Sequence, residues 1–214
     1  MSLLMDMTLR EYSDVLASNE PAPGGGSTAA LSGVLGAALT MMVVSLSVGK
    51  KNYESLDENI KDKFMKEAEN VKAIQKELSG LVDEDTKAFN KFMAAMKLPK
   101  DSEEQKQLRM EKMQEASLYA LEVPLKTAEK CFALLNNQKT IARCGNRNAV
   151  SDVGVGALLA LSGLEGEILN VNINLPGIAD EAIRSEAHDK CMKLSVEGRK
   201  LHNEILDLVN LRMG

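Results

Sequence analysis

The sequence predicts an all-α fold: one domain over residues 1–214, a bundle of long helices with two Gly/Ala-rich helices at its centre. Three observations carry this expectation. Hydrophobic residues make up 44% of the chain while aromatics are only 3% and Trp is absent, so the core must come from Leu, Ala, Val, Ile and Met, the usual material of helix bundles. Apolar positions recur at steps of three and four over long runs. Glycine is unevenly placed, with eleven of the fifteen in residues 24–49 or 145–166. A glycine inside a helix costs up to about 1 kcal/mol relative to alanine, so ten or so in two helices need a reason, and close backbone approach is the simplest.

Leu9, Tyr12, Val15 and Leu16 form a short amphipathic helix ending near Ser18. The segment Asn19-Glu20-Pro21-Ala22-Pro23-Gly24-Gly25-Gly26 forces a break, after which Ser27 is a good N-cap for an uncharged helix to about Val48. Lys50 and Lys51 follow its C-terminal end, where cations suit the dipole. From Leu56 to Met96 the stripe Ile60, Phe64, Ala68, Val71, Ile74, Leu78, Val82, Phe89, Phe92 and Met96 has one gap of seven, which Asp85 fills. An acid on an apolar stripe faces a cavity or a partner, because an unpaired buried carboxylate is costly; its neighbours Asp83 and Glu84 are expected to be solvated. Asp101 with Glu104 resembles a capping box opening a helix to about Asn137, with a kink at Pro124. A second weakly polar helix runs from Asp152 through Leu161 to Leu169, Val171-Asn172-Ile173-Asn174 reads as extended or irregular helix, and Ile183 to Leu211 closes the chain.

Net charge is −5 and evenly spread, and aromatics are too few for a base-stacking platform, so nucleic acid is not an expected partner. The uncharged stretch Gly24 to Gly49 is long enough to span a bilayer, but Gly, Ser and Thr dilute it and a helix apolar on all sides is equally what a bundle centre requires. No membrane is expected. The N-terminus has no basic region followed by an apolar run, and Cys131, Cys144 and Cys191 are an odd set without CxxC spacing, so a cytoplasmic protein with thiols in the core is expected. His188 and His202 lie among charged neighbours on the last helix, a surface setting. Neither a catalytic triad nor a metal cluster is readable.

Two constellations remain. At Gly24-Gly25-Gly26-Ser27, free amides and the positive dipole end of a helix favour an anionic ligand group, although the stretch equally fits a flexible loop with a normal cap. At Asn146-Arg147-Asn148-Ala149-Val150-Ser151-Asp152, amides, a guanidinium, a hydroxyl and a carboxylate crowd the start of an otherwise apolar helix. Ser151 or Asp152 is either its N-cap or, for Asp152, an inward-facing acid in line with Val155, Gly156 and Leu159, suited to acid/base work. The available groups are carboxylates and amides, which suit proton transfer at nitrogen.

These stretches, with Asp83 to Phe89 and Leu164-Glu165-Gly166 through Leu175, resemble in order the formiminotetrahydrofolate cyclodeaminase and methenyltetrahydrofolate cyclohydrolase family. The resemblance implies a helical homodimer acting on a reduced folate, with tetrahydrofolate as substrate carrier and no further cofactor. In the cyclodeaminase reaction N10 attacks the formimino carbon on N5 and ammonia leaves. In the cyclohydrolase reaction water opens the methenyl bridge. The expected catalytic groups are Asp152 and then Asp85; Gly24, Gly25, Gly26, Ser27, Lys50, Arg147, Asn148 and Ser151 are expected to bind substrate, with the Gly24 to Ser27 amides and Lys50 or Arg147 holding anionic parts such as a polyglutamate tail. Cyclodeaminase is the first reading and cyclohydrolase the alternative, while a helical scaffold or partner-binding protein is the non-enzymatic one.

Overall fold

The structure, a computed structural model, describes residues 3–214, so Met1 and Ser2 of the expected 1–214 domain lie outside it. It is a helical bundle, 85% helical, with no strand among the described residues. The helices are α1 (Leu9–Leu16), α2 (Gly25–Ser47), α3 (Lys51–Glu54), α4 (Glu58–Met96), α5 (Glu103–Asn136), α6 (Lys139–Cys144), α7 (Val150–Asn174) and α8 (Glu181–Met213). Helices α2 and α7 make the central pair, with α4 and α5 around them and α8 against α7. Phe64, Leu78, Leu134, Ile141, Leu164 and Ile205 are among the fully buried side chains of one continuous core.

The glycines explain how the central pair comes so close. A methyl group on Gly36 would lie 2.7 Å from the Gly156 carbonyl oxygen, and one on Gly163 would lie 2.8 Å from that of Ala29. Backbone thus packs on backbone, and the Ser32 hydroxyl donates across the seam to the Leu159 carbonyl at 2.9 Å. These contacts, with Gly25 facing Asn170, also give the direction: α2 and α7 run antiparallel. At the far end of α2, Gly49 takes φ +75°, the left-handed turn that stops a helix without a Cβ penalty.

Several local expectations shift. Ser27 is not the cap of α2: Gly24 holds that position, so Ser27 sits within the first turn. The capping box of α5 is Ser102 with Gln105, one residue beyond the expected Asp101 and Glu104, because the Ser102 hydroxyl meets the Gln105 amide. Helix α5 runs on through Pro124. Val171 to Asn174 are the last turn of α7, where Val171 is buried while Asn172 and Ile173 are exposed. Asp83 and Glu84 are engaged rather than simply solvated. Asp83 accepts from the Leu4 amide at 2.6 Å, and Glu84 accepts from the Tyr119 hydroxyl and from Lys87. His202 is buried, with Nε2 unpartnered, and only His188 has the expected surface setting. Cys131 and Cys191 are buried, Cys144 is half-buried, and all three are free thiols.

Candidate active site

The start of α2 borders a cavity of about 520 Å³. Gly24, Gly25, Gly26, Asp85, Asn170 and Asn174 line it, and Phe89, Phe92, Ala88, Ala120 and Ile173 give it apolar walls. Such a shape, mostly apolar with a few convergent polar groups, is the usual form of a small-molecule site.

Asp85 is its central group. Both the Ser27 amide and the Ser27 hydroxyl donate to Asp85 Oδ2, each at 2.9 Å, while Oδ1 accepts no hydrogen bond from the described residues. The third glycine permits this arrangement, since a Cβ on Gly26 would lie 2.1 Å from Asp85 Oδ1. The sequence left open whether the bare amides of the α2 start take an anionic ligand. Here Ser27 has taken Asp85 instead, an internal carboxylate at the positive end of the dipole. Burial raises the pKa of Asp85, and the Ser27 hydrogen bonds oppose that rise. A carboxyl held by such opposing effects is suited to exchange a proton.

A second acid stands behind the cavity wall. Glu167 on α7 is 1% exposed, and its one hydrogen bond is from Asn170 Nδ2 at 3.3 Å. Burial first, and the charge of Asp85 second, push its pKa up to about 9. Asn170 also donates to the Gly166 carbonyl at 3.1 Å, and its Oδ1 lies beside Gly25. Glu167, Asn170, Asn174 and the Phe89 and Phe92 walls were not singled out as site residues from the sequence. For Glu167 a signal existed: it shares a helical face with Leu164, Ile168 and Val171, so the spacing places an acid in the core.

The structure therefore brings Gly24, Gly25, Gly26, Ser27 and Asp85 together. It does not bring Asp152, Lys50, Arg147, Asn148 or Ser151 to them within one chain. Because α2 and α7 are antiparallel, the start of α7 meets the end of α2, where the Asn146 amide donates to Ser47 Oγ at 2.7 Å. That end is roughly 30 Å from the cavity at 1.5 Å per helical residue. There Asp152 is half-buried in the first turn of α7, and Lys50, Asn148 and Ser151 are exposed. Arg147 is also exposed and donates to the Arg212 carbonyl at 2.8 Å. Within one chain, helix direction keeps the two helix starts apart.

A family model described as formiminotransferase-cyclodeaminase matches residues 8–193. The chain belongs to this family of enzymes. It is 36% identical over 206 residues to a methenyltetrahydrofolate cyclohydrolase of Methylorubrum extorquens, covering 96% of this chain and 97% of that one. It is 34% identical over 209 residues to the formimidoyltransferase-cyclodeaminase of Sus scrofa, covering 98% of this chain but 38% of that longer protein. The crystal structure of formiminotetrahydrofolate cyclodeaminase from Thermotoga maritima superposes with a TM-score of 0.83 at 26% identity, covering 96% of each chain. The family match spans both the cavity residues and the distant Asn148 to Asp152 stretch.

Proposed function

We propose that this chain acts at the carbon bridging N5 and N10 of tetrahydrofolate, as a 5-formiminotetrahydrofolate cyclodeaminase, with Asp85 moving the proton. The observation that carries this reading is the Asp85 carboxylate, fixed by Ser27 on one oxygen and without a hydrogen bond on the other, in a cavity with aromatic walls. N10 attacks the carbon of the formimino group in its protonated, iminium form and gives its proton to Asp85 Oδ1, leaving an NH2 group on the tetrahedral carbon. The tetrahedral carbon then expels the former imine nitrogen, which leaves as ammonia after taking the proton back from Asp85. Phe89, Phe92 and Ile173 give the flat rings of a folate an apolar lining, and the Asn170 and Asn174 amides supply hydrogen bonds.

A second reading, methenyltetrahydrofolate cyclohydrolase, is favoured by the end-to-end likeness to the Methylorubrum extorquens enzyme. In that reaction Asp85 takes a proton from the attacking water and returns it to the nitrogen released, while the hydroxyl proton of the adduct passes to solvent as the formyl C=O forms. The absorbance of methenyltetrahydrofolate separates the two: its appearance from 5-formiminotetrahydrofolate with ammonia release supports the first reading, and its disappearance the second. Turnover of neither contradicts both.

No lysine or arginine lines the cavity, so a folate's anionic tail needs a cation from elsewhere. We propose a homodimer that supplies it. Leu35, Met42 and Leu46 of α2 and Val155, Leu158 and Leu169 of α7 are exposed on a face that carries little charge. A second copy laid antiparallel on this face would bring its own Lys50, Arg147, Asn148, Ser151 and Asp152 toward the cavity mouth. The far end carries Lys50, Lys51 and Arg147, the kind of cation that the cavity lining lacks. Mixing Asp85→Asn with Arg147→Ala subunits tests it: hybrid dimers with one intact site should regain activity that neither parent has, and no regain contradicts the shared site.

A further inference from the structure

Glu167 has no structural duty that an apolar residue would not perform better. It is 1% exposed, its single hydrogen bond is a long one to a neighbour on its own helix, and no lysine or arginine is among the charges acting on it. A buried carboxyl with so little compensation costs stability, and such groups gather at functional sites. Its one partner is Asn170, which lines the cavity beside Gly25, as Asp85 does beside Gly26.

We propose that Glu167 is a positioning residue of this site: from behind the cavity wall it orients the Asn170 amide in the cavity that Asp85 also lines, and it sets the alkaline edge of the pH range over which the pocket works. This rests on the acid/base reading above. The Asn170 Nδ2 group is held from behind by Glu167 Oε2 and the Gly166 carbonyl, which leaves Oδ1 on the side of Gly25. The groups facing Glu167 are few. Helix α2 has no ionisable residue between Gly25 and Ser47. Helix α4 brings Asp85, and α5 brings Cys131, whose own thiol pKa is raised by burial and by Glu167. On α8, Arg199 is held by Glu165 at 2.8 and 2.9 Å. Tyr12 of α1 bears on Asp85 rather than on Glu167. Ionisation of Glu167 would therefore place a second negative charge beside Asp85 with no cation to balance it, pulling on Asn170 and disfavouring the ionised base.

Glu167→Gln keeps the shape and the acceptor for Asn170 but cannot ionise. The first readout is the thermal midpoint of wild type and Glu167→Gln from pH 5 to pH 9. An ordinary glutamate at 4.5 in the unfolded chain and about 9 in the folded one means that the unfolded chain binds fewer protons in this window. Wild-type stability therefore falls as pH rises, and the midpoint advantage of Glu167→Gln should widen steadily toward pH 9. A gap that stays constant overturns the proposal, whatever the reaction. The second readout is kcat/KM against pH with the folate substrate. Glu167→Ala should lose at least about tenfold at pH 7 through a misplaced Asn170, Glu167→Gln should recover most of that loss, and its alkaline limb should move outward. An unmoved limb overturns the positioning role. If no folate is turned over, the acid/base reading fails, and the midpoint series still decides whether Glu167 is held as the neutral acid.

Discussion

Asp85 and Gly26 must be considered together, because the acid fits against the start of α2 only where the third glycine leaves room. Asp85→Asn keeps an oxygen for the Ser27 donors but cannot take a proton. It should lower kcat/KM at least about 100-fold, the lower range for losing a general acid/base, with little change in unfolding midpoint. Gly26→Ala should push the carboxylate aside and lower kcat/KM about tenfold or more while leaving the chain folded, which circular dichroism beside turnover will check. Because burial raises the pKa of Asp85, the acidic limb of the wild-type profile should lie above the usual aspartate value of 3.8. Asp85 was legible in the sequence as the gap in an apolar stripe. Its Ser27 partner was legible only as a helix start, because nothing local shows which of two long helices will lay an acid on those amides. Glu167 carried a similar signal, an acid on the face of Leu164, Ile168 and Val171, but in a helix whose small residues equally fit plain packing.

At the scale of elements, the α2 and α7 seam should be intolerant of a single methyl group. Gly163→Ala would set a Cβ against the Ala29 carbonyl and the Cys131 sulfur, both at 2.8 Å, and should destabilise by about 1–3 kcal/mol in urea titrations. Gly80→Ala is the control: it is helical and exposed with nothing within 4 Å, so it should stabilise by up to about 1 kcal/mol. The existence and order of the long helices followed from periodicity, and the glycine clusters rightly indicated close approach. Most helix boundaries moved by a residue or two, as with Ser102, because neighbouring polar residues offer equivalent caps until tertiary contacts choose, while α7 runs five residues beyond the expected Leu169. The antiparallel direction of α2 and α7 was not readable, since a small-residue stripe packs well in either direction. That one fact separates Asp152 from Asp85.

For the whole molecule, the weakly charged face of α2 and α7 is the feature that one chain leaves exposed. Sedimentation should find a dimer, and Leu158→Asp, which puts a charge in the middle of that face, should shift it toward monomer and weaken folate binding with it. Asp152→Asn should cost less activity than Asp85→Asn, as a group supplied at the mouth by the second copy rather than one fixed inside the cavity. The account rests on Asp85 as the proton-moving group, so the most direct test is methenyltetrahydrofolate absorbance and ammonia release in Asp85→Asn beside wild type at equal folded concentration. Wild type should turn over, and Asp85→Asn should lose at least about 100-fold. Wild-type turnover in the variant, with the fold intact, would contradict it.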